Sequence, residues 1–252
     1  MRRVFITGAS SGIGAALAQY YAQRGAVLGL LARRKTELES LAASFTVPVH
    51  TYPADVRDSS ALQAAAADFI AHHGSPDVVI ANAGVSTGTL TEFPEDLASF
   101  QEVVDINLMG MVKTFQPFVA AMRTKGRGKL VGIASVAGYR GLPGAAAYSA
   151  SKAAVISYLE SLRVELAASG VKVITVCPGY IETPLTAGNP YPMPFLMSPD
   201  VAARKIADVI EQGKSFAVIP WQMAIVARIM HVAPRWLYDR VLSGAPRKPR
   251  RS

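Results

Sequence analysis

Cysteine is almost missing from this 252-residue sequence: Cys177 stands alone, which excludes an intramolecular disulfide framework and any Cys-rich zinc site and suits a reducing compartment. Histidine is scarce too. The four present, His50, His72, His73 and His231, form no HExxH or similar ligand spacing, so no metal is expected. Charged residues are only 17% of the chain against 50% apolar, with no acidic or Gln/Asn-rich tract, a balance that excludes a disordered scaffold. A spanning helix is excluded as well, because the apolar late stretch 221–242 is broken by Pro234 and carries Arg228, Arg235 and Arg240. The N-terminal Met1-Arg2-Arg3 runs straight into a strand-like segment and leaves no room for a secretory h-region; the expected location is the cytoplasm.

What is present is an excess of cations, 26 against 18, for a net charge of +8. Such an excess attracts nucleic acid, anionic lipid or an anionic cofactor alike. Neither RNA-binding aromatic signatures nor a helix-turn-helix setting accompanies it, so no nucleic-acid partner is expected. Part of the excess sits at the end, in Arg247, Lys248, Arg250 and Arg251, spaced by Pro246 and Pro249 in what reads as a frayed tail.

Seven short β-branched or apolar runs, at 4–7, 27–31, 47–52, 78–81, 130–134, 171–176 and 216–219, alternate with Ala-rich helical stretches. Those stretches are too long for hairpin turns and right for crossovers between parallel strands. Strands as uniformly apolar as Val78-Val79-Ile80-Ala81 fit a sheet covered on both faces. The expected fold is α/β, a single-domain Rossmann-type doubly wound parallel sheet of seven strands with helices on both faces. Two regions break the rhythm. Residues 180–199 hold five prolines among large apolar side chains and read as a lid; 221–242 follows the last strand.

Directly after the first strand comes Thr7-Gly8-Ala9-Ser10-Ser11-Gly12-Ile13-Gly14, leading into a helix. Glycines let the backbone turn sharply and approach a pyrophosphate, and the helix N-terminus offers unpaired N–H groups, so an anion belongs there. The plain alternative is an ordinary tight strand-to-helix turn. At the end of the second strand, where an NAD site places Asp or Glu on the ribose 2′-hydroxyl, stand Arg33, Arg34 and Lys35. A 2′-phosphate would supply the anion they lack, and the planar fork of Arg33 suits phosphate. As a solvated basic turn offset by Glu37 and Glu39, they need no ligand. Asp55 and Val56 after the third strand and Asn82, Ala83 and Gly84 after the fourth lie where ligands gather in open parallel sheets. Asp55 would hold an adenine amino group or cap a helix; Asn82 would contact the ligand or tie neighbouring loops.

Tyr148 and Lys152 form an i, i+4 pair on one helical face, from which both side chains can act on one ligand. A nearby ammonium and an oxidised nicotinamide both favour the phenolate, which would lower the Tyr148 pKa and let it exchange a proton with a substrate oxygen. YxxxK alone is a common coincidence. Ser135, thirteen residues earlier at the end of an apolar strand, gives it weight, because its hydroxyl would hold a carbonyl or alkoxide oxygen from there. Taken alone, Ser135 is a strand-end cap.

Together these motifs resemble the short-chain dehydrogenase/reductase family over about residues 3–219: TGxxxGxG at 7–14, Asp55, Ala81-Asn82-Ala83-Gly84 as a variant of NNAG, Asn107, Ser135, YxxxK, and Pro178-Gly179 followed by Thr183. The departure is Ala81 in place of the first Asn. The resemblance implies a catalytic tetrad of Asn107, Ser135, Tyr148 and Lys152, with Asn107 holding a proton-relay water. It also implies contacts from Pro178, Gly179, Ile181 and Thr183 to the nicotinamide end, and a homodimer or homotetramer built on the helices around Asn107 and Tyr148. From the residues alone, Asn107 is a polar helix residue.

The expected function is therefore NADP(H)-dependent hydride transfer to a ketone or aldehyde, or from a secondary alcohol. The lid residues Tyr191, Met193, Phe195, Leu196 and Met197, with Tyr139 and Leu142 near Ser135, suggest an apolar substrate; packing of the lid onto the domain explains the same side chains. An epimerase or dehydratase with tightly held cofactor is the second enzymatic reading. A non-catalytic dinucleotide sensor or membrane-surface scaffold is the third, and the intact Ser135, Tyr148 and Lys152 speak against it. For 221–242, C-terminal packing or a subunit contact is favoured over a membrane-surface helix.

Overall fold

Apolar runs that hide both faces become central strands, and here seven of them pair in parallel: β1 (Arg3–Thr7), β2 (Val27–Ala32), β3 (Val49–Pro53), β4 (Val78–Ala81), β5 (Gly128–Ile133), β6 (Val171–Pro178) and β7 (Phe216–Ile219). The computed structural model describes residues 1–250. The strand order is β3-β2-β1-β4-β5-β6-β7, a single doubly wound domain. β3 starts two residues later than the apolar run at Val47, because Pro48 lends the ladder a carbonyl, to Leu28 N–H at 3.0 Å, but has no N–H of its own.

Side chains alternate between two cores. Val4, Ile6, Leu28, Leu30 and Ile80 face α1 (Gly12–Ala22), α2 (Lys35–Ala43) and α7 (Pro199–Gln212). Phe5, Leu31, Val79, Leu130 and Val173 face α3 (Ser59–His73), α5 (Gly110–Lys125) and α6 (Ala146–Glu165). Phe5 fills the middle of the second core, ringed by Tyr52, Phe69 and Phe118 at centroid distances of 4.8–5.7 Å. α4 (Asp96–Val104) continues into α5 through one π-helical turn, Asp105–Met109, which carries Asn107 inward.

The crossover from β1 runs to β2 on one side of the sheet and β4 returns on the other. At that reversal the connections part and leave a cleft above the strand C-termini. Residues 180–198 form no helix or strand of their own, as their prolines require, and are pinched at the base: Glu182 N–H donates to Met197 O at 2.9 Å and Met197 N–H to Tyr180 O at 3.1 Å.

After β7 come α8 (Trp221–Val232) and α9 (Arg235–Leu242). Arg140 docks them, donating to Met230 O and Ala233 O at the end of α8 and stacking on Tyr238. Packing onto the domain buries Met223 and Ala227 of α8, while α9 has no fully buried residue and is held through Tyr238, which stacks on Arg140 and donates to Gly141 O; Trp221, Ile225, Ile229, Val232 and Trp236 stay exposed. No helix among the described residues is long and apolar enough to cross a membrane.

At the opposite end of the sheet from the cleft, Asp77 gathers Lys125 Nζ at 2.6 Å, Arg3 N–H at 2.9 Å and Arg3 Nε at 3.3 Å, joining β1, β4 and the end of α5. Burial would raise this carboxyl, but the hydrogen bonds from Lys125 and Arg3 outweigh it and hold it at about 2. Because the folded value lies below the unfolded one, the stabilisation is complete above about pH 4 and is lost as pH falls toward about 2. Asp77→Asn is expected to cost about 2 kcal/mol at pH 7 and to flatten the acid limb of the stability curve, measured by urea unfolding from pH 7 to pH 2.

Candidate active site

The glycine turn after β1 is shaped by contacts that admit no side chain. Gly8 has φ of +68°, and a Cβ there would stand 2.7 Å from Ala83 Cα; one at Gly14 would stand 2.2 Å from Gly8 O. Asn82 clamps the turn from the neighbouring strand, its Nδ2 donating to Thr7 O and Gly8 O, each at 3.2 Å. Thr7 Oγ1 answers by accepting from Asn82 N–H and Ala83 N–H. Ser11 enters α1 without a side-chain cap, so the first N–H groups of that helix keep no intramolecular acceptor from it.

From this turn a cleft of about 610 Å³ runs along the strand ends. One end is lined by Gly8, Ser10, Ser11, Gly12, Ile13, Arg33 and Arg34, with Asp55 and Val56 beside them. Arg34 donates through Nη2 to Ser10 Oγ at 3.1 Å, and its Nη1 lies 3.5 Å from Glu37, while Lys35 turns outward to Glu39. Arg33 is half exposed, 3.8 Å from Asp55. Asp55 itself is taken up by Arg57, whose side-chain hydrogen bonds hold the carboxyl below the ordinary range. Arg57 escaped the sequence reading; the Asp-x-Arg spacing that allows this local pair was its only signal.

The middle of the cleft is formed by Asn82, Ala83, Gly84, Pro178, Gly179, Ile181 and Thr183. The glycine turn approaches Thr183 so closely that a Cβ at Gly12 would stand 3.0 Å from Thr183 Cγ2.

The far end holds Ser135, Tyr148 and Lys152. Ser135 lies two residues beyond β5 and caps a short 3-10 turn, its Oγ accepting from Ala137 N–H at 3.1 Å, and α6 presents Tyr148 and Lys152 from successive turns. Lys152 is buried and donates to Ile133 O at 2.7 Å; burial pulls its ammonium down to about 8. Its Nζ lies 5.8 Å from the Tyr148 ring centroid. Burial raises the Tyr148 phenol, with the Ser135 hydroxyl pulling the other way. The lowered phenol expected from the sequence is thus not a property of the chain by itself, since desolvation of the ring prevails.

Asn107 does not reach the cleft. From the π turn its Oδ1 accepts from Val85 N–H at 2.8 Å, and its Nδ2 donates to Val85 O and Ser151 Oγ, both at 3.0 Å. Gly84 lies between it and the lysine: a Cβ there would meet Asn107 Oδ1 at 3.3 Å and Lys152 Nζ at 3.7 Å.

Of the expected substrate residues, Leu142 and Tyr191 line the cleft. Tyr139, Met193 and Phe195 are not part of its lining. Tyr139 packs edge-on against Phe216 and His231, Met193 takes a weak hydrogen bond from Asn189, and Phe195 is 48% exposed with φ of +57°. The tail is a clear correction: 247–250 do not fray. Arg250 reaches Asp96 at 2.7 Å and Glu95 at 2.9 Å, and Lys248 and Pro249 join the cleft wall; Arg251 lies outside the described residues.

A family model for the short chain dehydrogenase matches residues 2–191. The chain belongs to the short-chain dehydrogenases. Among the relatives of this dehydrogenase, an uncharacterized oxidoreductase of Myxococcus xanthus is 38% identical over 241 residues, covering 94% of this chain and 95% of that one. A 2-dehydro-3-deoxy-L-rhamnonate dehydrogenase (NAD(+)) of a Sphingomonas strain is 39% identical over 186 residues, 73% of this chain and 74% of that one. In three dimensions it is similar to an alcohol dehydrogenase of the archaeon Thermococcus sibiricus complexed with 5-hydroxy-NADP, with a TM-score of 0.78, 26% identity and coverage of 87% and 96%. The dehydrogenase is an oxidoreductase, and its glycine cradle, uncapped helix start and long cleft fit a nicotinamide dinucleotide.

The clamp on the glycine turn yields a prediction. Asn82→Ala leaves Thr7 O and Gly8 O without their donor and is expected to cost about 1–3 kcal/mol, several degrees in melting temperature, and to weaken dinucleotide binding in a fluorescence titration.

Proposed function

We propose that this dehydrogenase is an NADP(H)-dependent carbonyl reductase, working reversibly on a ketone or aldehyde and the corresponding alcohol. The observation that supports it most is the convergence of Ser135, Tyr148 and Lys152 on one cleft whose other end carries Arg33 and Arg34. The bound dinucleotide would supply the hydride to the carbonyl carbon.

The chain's own groups do the rest. Ser135 Oγ lies at the strand end where a carbonyl oxygen would be oriented, and Tyr148 Oη would give its proton to that oxygen. A phenol kept neutral by burial is a proton donor, which suits reduction. Lys152 brings a partly destabilised ammonium to the same face of α6, where it would hold the ribose hydroxyls of the cofactor and restore the proton to Tyr148. Asn107, bonded to Val85 and Ser151, acts as a positioning residue that holds the loop after β4 against α6.

Arg33 and Arg34 favour the 2′-phosphate over a plain ribose, since neither Asp nor Glu ends β2; Asp55, 3.8 Å from Arg33, is already engaged by Arg57, and Glu37, 3.5 Å from Arg34, makes only an exposed i, i+3 pair. Residues 180–199 form the lid, and Leu142 and Tyr191 give the substrate space an apolar wall. The same reading keeps the enzyme in the cytoplasm and pairs its subunits through the helices that carry Asn107 and Tyr148.

Oxidation of NADPH with a panel of carbonyl compounds tests the chemistry. Tyr148→Phe is expected to lower kcat by at least about 100-fold, while NADPH binding is kept; an inactive wild type, or full activity in the variant, sinks the reading. Arg33→Ala is expected to weaken NADPH about 10- to 100-fold and to leave NADH unchanged, read from the two dissociation constants.

A further inference from the structure

Cations that serve only to keep a protein soluble stay in water, whereas Lys248 is drawn into the cleft. It is partly buried there, and its Nζ donates to Leu185 O at 3.0 Å. Its ammonium is lowered by desolvation, with no charged partner among the described residues to offset it. A carbonyl satisfies one of the three N–H donors and neutralises nothing. The other donors meet no protein acceptor among the described residues, and the cleft wall around Lys248 mixes Leu142, Leu185 and Tyr191 with Thr87, Thr186 and Asn189.

The position of Lys248 is built rather than accidental. Beyond it, Arg250 is latched to the buried Asp96 at 2.7 Å and to Glu95 at 2.9 Å, with its guanidinium 3.6 Å from the centre of the Phe93 ring. Gly88 N–H donates to Pro249 O at 2.9 Å, pairing the loop after β4 with the tail. Two glycines make room for this strap: a Cβ at Gly88 would stand 2.2 Å from Lys248 O, and one at Gly144 would stand 2.7 Å from Arg247 Cβ.

We propose that the tail is a strap that completes the cleft, and that Lys248 is its binding residue, holding an oxyanion of a bound molecule: a carboxylate of the substrate or the pyrophosphate of the cofactor. This rests on the reading of the cleft as a carbonyl reductase site, and it adds an anionic group to a substrate space that the sequence shows only as apolar.

Lys248→Gln separates the two sources. NADPH affinity is measured by fluorescence titration, and KM is compared for 2-oxo acids and their methyl esters. Loss of about ten-fold or more on the acids, with esters unchanged, places the oxyanion on the substrate; an equal loss in NADPH affinity places it on the cofactor. Lys248→Arg should retain most of either effect. Arg250→Ala, which keeps the lysine but releases the strap, should reproduce the change. If acid-to-ester ratio and NADPH affinity both stay within two-fold in Lys248→Gln, the proposal is overturned; if only Arg250→Ala is silent, the latch is overturned. A wild type inactive on every carbonyl defeats the reductase reading, and calorimetric binding of NADPH, and of benzoate against benzamide, then still decides the role of Lys248.

Discussion

Asn82 holds the site together at the one place where the sheet leaves room for it. Its amide bridges from the end of β4 to two carbonyls of the β1 turn, and the turn packs back on it so tightly that a Cβ at Gly14 would stand 2.7 Å from Asn82 Nδ2. β1 and β4 are the pair at which the strand order reverses, so this clamp fixes the two lips of the cleft against each other. Everything further along depends on it. The glycine turn sets Thr183, the loop after β4 sets Gly84 and Val85, and through Val85 the position of Asn107 and Ser151 follows.

Cations sort by the company they keep. Lys125 and Arg3 meet Asp77, and Arg250 meets Asp96 and Glu95, so these charges fasten segments of chain together. Lys152 and Lys248 are desolvated yet meet only carbonyl oxygens, those of Ile133 and Leu185. Desolvating an ammonium without a carboxylate is unfavourable, and the lowered affinity for protons at both lysines expresses that cost. Both line the cleft, where an anionic or polar ligand would relieve it.

The sheet was legible because burial on both faces writes itself as short, nearly pure apolar runs, and all seven became strands with ends shifted by a residue or two. Tyr148, Lys152 and Ser135 were legible as positions, since helical spacing and strand ends decide which way they face. Asn107 was not: a π turn has no sequence period, and only the family resemblance marked that residue. Tyr139, Met193 and Phe195 sit outside regular helices and strands, where no period sets direction: Tyr139 is turned by the distant rings of Phe216 and His231, and Met193 by Asn189 within its own irregular segment. The tail misled for the same reason. Pro and Arg in alternation read as solvated chain, and its order comes from Asp96, Phe93 and Gly88, about 150 residues earlier.

That strap also decides how the molecule is best handled. Lys248 and Pro249 stand in the cleft wall and Arg250 is held by Asp96 and Glu95, so an affinity tag or fusion partner joined directly after Arg250 would start beside the cleft and crowd it. Met1 lies just before β1, at the end of the sheet remote from the strand C-termini that line the cleft, which makes the N-terminus the neutral place for immobilisation on a sensor surface.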